Sequence, residues 1–331
     1  MIVKERQKKD IFLYSYVGAP QKIDIPTALE YVQTGWISAP RTVMKGLNKI
    51  VRTSLPSQRV ELKDIKVSLE EMLATSIKTL DGSQCSVMFS GGFDSMLMVT
   101  MARRFCAQVT GISVQFDGYN STTIEGAVIL AQRLGLPHHI IQISLKEFLL
   151  SFAKVAQLTK EPLLDLELAL VYAAFKKYQP SIAGNVFISG MGSDQWFGDY
   201  ALKKNRQILQ KRLDKMILNT SAHHDVANTH GYKFIFPFLS EAMVALSLKL
   251  TTSMKKDKQL LRSLVDNTDL IPAQGAEREV QIPDPVRRIL IKTYGSRAWP
   301  RPIMLKEYEP VDDRLLRQIV LGLWLERIKK K

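Results

Sequence analysis

The chain has 331 residues, 46% of them hydrophobic, and 46 basic against 32 acidic side chains give it a formal net charge of +14. That length and apolar content allow one large buried core with appendages and exclude disorder as the default. Two cysteines, Cys85 and Cys106, form neither a disulfide framework nor a C-x-x-C metal spacing and read as buried free thiols. The stretch from Lys4 to Asp10 is charged, and no run of about 18 apolar residues occurs, so neither a signal peptide nor a membrane span is indicated. A soluble, cytoplasmic protein is expected.

In chain order, strand-like runs at 85–89, 108–116, 138–144 and 185–190 alternate with helical periods near 95–105, 122–135 and 165–179. This alternation predicts an α/β protein with a doubly wound, mostly parallel sheet, helices on both faces, and a ligand at the carboxyl ends of the strands. Beyond residue 205 no strand is expected. The segments 239–249, 257–266, 286–294 and 312–328 read as helices closing over one side, so the C-terminal part should be helical. There is no internal repeat, and no low-complexity tract beyond Lys329-Lys330-Lys331.

The most informative segment is Ser90-Gly91-Gly92-Phe93-Asp94-Ser95, directly after the apolar run Cys85 to Phe89. Two glycines at a strand end leave backbone N–H groups unshielded, and the following helix adds the positive end of its dipole, so the turn suits a phosphate. Ser90 and Ser95 bring hydroxyl donors. Asp94 is a carboxylate where phosphate repels it, which a bridging Mg2+ would explain. The pattern is neither the Walker A ending nor the G-x-G-x-x-G spacing. It resembles the PP-loop of the ATP pyrophosphatases, which split ATP into AMP and pyrophosphate while adenylating an acceptor.

A second match narrows the resemblance. Asn185 to Ser189 reads as a strand and leads into Gly190-Met191-Gly192-Ser193-Asp194-Gln195-Trp196-Phe197-Gly198-Asp199-Tyr200, similar to the asparagine synthetase segment Gly-Glu-Gly-x-Asp-Glu-x-Phe-Gly-Gly-Tyr. Further similarities follow in order: Glu125 with Ala127 to Gly135 before His138; Glu161-Pro162-Leu163-Leu164-Asp165; His230-Gly231 with Phe236-Pro237-Phe238-Leu239; and Lys258-x-x-Leu261-Arg262. Asp165 is also a ready N-cap for the next helix. The resemblance covers roughly residues 25 to 300 and implies an adenine nucleotide α-hydrolase-like fold. It implies a site in which Ser90, Gly91, Gly92, Asp94, Ser95, Gly190, Lys258 and Arg278 bind ATP. Asp94 and Asp194 would share Mg2+, and Lys258, Asp94 and Asp194 would carry the catalysis.

The departures from the pattern shape the functional expectation. Met191 stands where asparagine synthetases carry glutamate and the related lactam-forming enzymes carry tyrosine, and a thioether cannot handle a proton. Where the family has a second phosphate lysine the chain reads Ala276 to Gln281, with only Arg278 positive, and arginine is a different donor fork. The family's Glu-x-Arg is replaced by Lys233 and Ile235 and its terminal Asp by Ser240, so aspartate is not the expected substrate. The chain begins Met1-Ile2-Val3-Lys4, without the Cys at residue 2 that serves as glutaminase nucleophile in full-length relatives. The segment from Ala28 to Val43 resembles the connection that follows that domain. Residues 1–60 are accordingly read as a remnant of the connecting segment, 61–205 as the α/β ATP-pyrophosphatase core, and 206–331 as the helical C-terminal part of the same domain.

The expected function is an ATP-dependent amide-bond-forming ligase that adenylates a carboxylate, releases pyrophosphate and passes the acyl group to ammonia or an amine. Specialised-metabolite biosynthesis or peptide ring closure is the expected setting, and a separate glutaminase or biosynthetic subunit is a candidate partner. The basic clusters Lys203-Lys204-x-Arg206, Lys255-Lys256 and Arg287-Arg288 are short, scattered and without a nucleic-acid-binding motif, and read as solvated faces. Two alternatives stand beside this reading: a PP-loop enzyme modifying a nucleic acid, which the charge would suit, and a non-catalytic subunit that kept the fold.

Overall fold

The computed structural model describes residues 13–52, 65–78, 80, 84–117, 122–181, 184–198, 206–265, 282–301 and 311–329. The chain enters through β1 (Leu13–Gly18), α1 (Ile25–Thr34) and β2 (Leu47–Arg52). The two strands form an antiparallel ribbon with Leu13 opposite Arg52 and Gly18 opposite Leu47. Then come α2 (Ile65–Lys78), β3 (Gln84–Met88), α3 (Phe93–Ala102), β4 (Gln108–Phe116), α4 (Thr122–Leu134), β5 (His138–Ile143), α5 (Leu145–Leu158), α6 (Leu166–Lys177) and β6 (Val186–Ile188). The remainder is α7 (Ser193–Phe197), α8 (Arg206–Thr229), β7 (Lys233–Ile235), α9 (Glu241–Lys249), α10 (Thr252–Lys255), α11 (Gln259–Arg262), α12 (Asp284–Tyr294) and α13 (Asp313–Lys329).

Five strands form one parallel sheet in the order β5-β4-β3-β6-β7. Its centre reads as continuous apolar runs because helices cover both faces: Cys85, Ser86 and Val87 of β3 are all buried, as are Val109 to Ser113 of β4. From β3 the chain builds outward through β4 to β5, then returns to lay β6 and β7 on the other side. The strand order therefore reverses between β3 and β6, where a doubly wound sheet opens a crevice at its carboxyl edge. Both glycine-containing motifs of the sequence leave strands at that point. The expected α/β class, with a doubly wound parallel sheet, is what the chain adopts.

One apolar cluster holds β3 and β4 against α2, α3, α8 and α9 through residues such as Leu69, Phe93, Met98, Phe187 and Leu246. A second joins α1, α5, α6, α12 and α13 through Tyr31, Phe148, Leu290 and Leu323. Helix starts follow local capping chemistry. Ser144 and Glu147 form a reciprocal capping box at α5, and Asp165 accepts from Leu168 N at α6 over 2.8 Å. The ribbon is tied to the main body by a buried ion pair. Lys49 Nζ lies 2.8 Å from Glu161 Oε2 and donates to Ile37 O, while Tyr16 Oη donates to Glu161 Oε1 over 3.2 Å.

Two expectations are corrected. A strand does lie beyond residue 205: β7 extends the parallel sheet from β6, pairing Phe187 with Phe234. Three residues are too few to display a period of two, and the neighbouring strand rather than local sequence makes them β. The expected helix over 257–266 is instead a 3-10 turn, Lys256–Lys258, followed by the single turn α11, because Asp257 and Lys258 are left-handed at φ 52° and 54°. Cys85 and Cys106 are buried thiols that lie side by side without a disulfide between them. No described helix is long and apolar enough to cross a membrane.

Candidate active site

At the end of β3 the chain turns through Ser90-Gly91-Gly92 into α3. Gly91 is left-handed at φ +78°, and a Cβ there would lie 2.6 Å from the backbone N and Cα of Ala127 on α4. Glycine is thus required by both conformation and space. Inside the turn, Gly92 N donates to Ser90 Oγ over 3.3 Å and Ser95 Oγ donates to Gly92 O over 2.9 Å. Asp94 follows in the first turn of α3. The β6 side closes tightly on it, since a Cβ on Gly190 would meet Asp94 Cβ at 2.9 Å. This close approach brings Asp194, in the first turn of α7, to the same point as Asp94.

Lys258 completes the constellation from the far side. Its Nζ lies 2.7 Å from Asp94 Oδ2 and 2.6 Å from Asp194 Oδ1, and the residue is 4% exposed. Burial works against the Lys258 ammonium, but Asp94 and Asp194 more than reverse this and hold it above the usual lysine range. Burial pushes the Asp94 carboxyl up to about 6 against the pull of Lys258, and Asp194 adds to the push. Asp94 Oδ1 is buried with no hydrogen-bond partner among the described residues. Two carboxylates meeting at one point fit a hard divalent cation. Among the described residues no cluster of three or more His, Cys, Asp or Glu side chains forms a complete metal cage. Two carboxylates with the remaining positions left to phosphate and water is the donor set that suits Mg2+.

The carboxylates border a cavity of about 580 Å³ at the sheet's switch point. Ser90, Ser95 and Gly190 line it with Asp94 and Asp194, and Ile112, Val114 and Ile124 give it an apolar wall. The sequence-selected residues are therefore together, except that Arg278 lies outside the described residues, as do Asp199 and Tyr200. Met191 lines the same cavity. His138 receives or donates a 2.7 Å hydrogen bond with Ser113 Oγ, and its ring is held below the usual histidine value by burial and then by His139. Glu161 is taken up by Lys49, and His230 packs edge-on against Tyr172, so both serve packing. Sequence reasoning missed the wall supplied by α8. Lys215 and Asn219 line the cavity one helical turn apart, and Asn219 Oδ1 is buried without a partner among the described residues. Nothing in a polar helix sequence distinguishes such residues from a solvated face.

The Ser-Gly-Gly-x-Asp-Ser turn thus lies at the switch point of a parallel α/β sheet. Residues 68–228 match the family model described as asparagine synthase. A curated relative, "Asparagine synthetase [glutamine-hydrolyzing] 1" of Bacillus subtilis, is 27% identical over 139 residues. That match covers 40% of this chain and 22% of the relative's length. Among solved structures, an NH3-dependent NAD synthetase from Campylobacter jejuni aligns at 18% identity and TM-score 0.29, covering 42% of this chain and 60% of its own. A protein described as a predicted subunit of tRNA methyltransferase from Methanocaldococcus jannaschii aligns at 16% identity and TM-score 0.28, over 47% and 67% of the two chains.

Proposed function

We propose that the chain is an ATP-dependent ligase that activates a carboxylate as its adenylate and transfers the acyl group to ammonia or an amine. The observation that carries this reading is the meeting of Asp94, Asp194 and Lys258 at the mouth of a glycine-built turn within an asparagine synthetase-like domain. In the first step a carboxylate oxygen attacks the α-phosphorus of ATP, the bond to the β-phosphate oxygen breaks, and pyrophosphate leaves. In the second, an amine nitrogen attacks the acyl carbon, the bond to AMP breaks, and nitrogen loses a proton. The turn at Ser90 to Ser95, with the hydroxyls of Ser90 and Ser95 and the close-packed Gly190, positions the triphosphate. Asp94 and Asp194 would hold Mg2+, which neutralises charge on the departing pyrophosphate when bound. Lys258 donates to the phosphate oxygens as charge develops on them, and Arg278 is the candidate second cation. Positioning and fixed charge supply most of the rate in such a step.

The aminolysis half is where this chain departs from its relatives. Met191 on the cavity wall cannot take a proton, so the amine arrives unprotonated or passes its proton to water or another group. With Lys233, Ile235 and Ser240 in place of the family's Glu-x-Arg and Asp, the acceptor proposed is a carboxylate other than aspartate, in specialised-metabolite or peptide ring-closure chemistry. The test is pyrophosphate release from ATP and Mg2+ across a panel of carboxylates, with and without ammonium or glutamine, for wild type and Asp94→Ala. Turnover with one carboxylate, abolished by the substitution, is the expected result. Pyrophosphate release that Asp94→Ala leaves intact would reject the assignment.

A further inference from the structure

Lys258 stands where the metal would stand. A divalent cation shared by the carboxylates of Asp94 and Asp194 would need the space between their facing oxygens, Asp94 Oδ2 and Asp194 Oδ1. Those same two oxygens now lie 2.7 and 2.6 Å from Lys258 Nζ. An ammonium and a divalent ion cannot share that space, since both their volumes and their charges exclude it. The backbone beneath the lysine is strained, for Asp257 and Lys258 are consecutive left-handed residues at φ 52° and 54°, and neither is glycine. Each costs about 1–2 kcal/mol relative to an ordinary conformation, so the segment is held by the contacts its side chains make. Taking Lys258 away without offering another anion would leave a buried ammonium unpaired, which is costly. Nucleotide phosphates supply that second anion.

We propose that Lys258 is the resident cation of this site, and that the site admits a divalent cation only as a metal–nucleotide complex. The lysine passes from the two carboxylates to the phosphates as the metal takes its place. Free metal is excluded, and in the nucleotide-free protein Lys258 stabilises a carboxylate pair that would otherwise repel. This inference rests on the reading of the cavity as an ATP site.

The experiment is Mn2+ binding to the full chain followed by the EPR signal of free Mn2+, with and without α,β-methylene-ATP, for wild type, Lys258→Met and Lys258→Arg. Wild type and Lys258→Arg should bind Mn2+ alone at least about tenfold more weakly than with the analogue, the gap expected when one state must be displaced first. Lys258→Met, which keeps the stem and loses the charge, should gain a Mn2+ site without nucleotide, and adding Asp94→Asn should abolish the gain. Wild type binding Mn2+ equally well with and without the analogue would overturn the proposal, and this arm needs no variant to fold. A folded Lys258→Met protein with no gained site would overturn it too. An analogue that binds neither protein, while Lys258→Met gains its Mn2+ site, would reject the ATP reading and with it the exchange, but leave the lysine as the excluding cation.

Discussion

Replacing Lys49 by methionine probes the join between the N-terminal ribbon and the sheet domain. Glu161 is 2% exposed and Lys49 4%, so the substitution leaves a buried carboxylate without its lysine, while the 3.2 Å hydrogen bond from Tyr16 stays. It also removes the donor to Ile37 O. Breaking a buried pair from one side costs about 3–5 kcal/mol, because the desolvated partner is left without compensation. With a urea dependence of about 3 kcal/mol/M, a loss of about 4 kcal/mol lowers the unfolding midpoint by about 1.3 M. The double variant Lys49→Met/Glu161→Gln removes both charges while leaving Tyr16 an amide oxygen to bond, and should recover at least about 2 kcal/mol of the single loss. Tryptophan fluorescence during urea titration of the two single variants, the double variant and wild type measures the coupling. Additive single effects, with a coupling under about 0.5 kcal/mol, would show that the pair is not a cooperative tie.

Three further outcomes follow from the geometry. Gly91→Ala introduces both left-handed strain, about 1–2 kcal/mol, and a Cβ 2.6 Å from the Ala127 backbone, so nucleotide affinity measured by calorimetry should fall with thermal stability. Because Asp94 titrates near 6 and must lose its proton to accept a metal, binding of the Mg2+–nucleotide complex should weaken as pH falls through about 6; affinity that stays level from pH 7 to 5 would contradict this. Glu147, pulled down to about 2 by Lys177 and by Ser144, contributes stability that is complete above the ordinary value of 4.5 and is lost as pH falls from there toward 2. The difference in unfolding free energy between wild type and Glu147→Gln should therefore shrink on acidification, and a difference that grows would refute the assignment.

The centre of the sheet was readable because β3 and β4 are buried on both faces and so appear as mostly apolar, β-branched-rich runs. Glycines marked the site: Gly91 and Gly190 are there because backbone and side chains approach too closely for a Cβ. Short or tertiary-determined elements were not readable. β7 has three residues and exists by pairing with β6, and the ribbon of β1 and β2 is fixed by a pairing across some thirty residues. The break at Asp257 and Lys258 was hidden because both are ordinary helix-compatible residues, and the Lys258 side chain reaches carboxylates far away in the sequence. For the same reason Lys258 could be selected by resemblance, while its seat between two carboxylates could not. Glu161 shows the opposite failure, a motif residue whose buried partner lies more than a hundred positions away.

The account stands or falls on whether the cavity binds ATP through Asp94. The direct measurement is calorimetric titration of the full chain with α,β-methylene-ATP in Mg2+, whose uncleavable α–β linkage removes any dependence on an acceptor, for wild type and Asp94→Asn. One equivalent should bind wild type, and the substitution should weaken binding by at least about tenfold, or 1.4 kcal/mol. Absence of binding to wild type, or equal binding to both proteins, would contradict it.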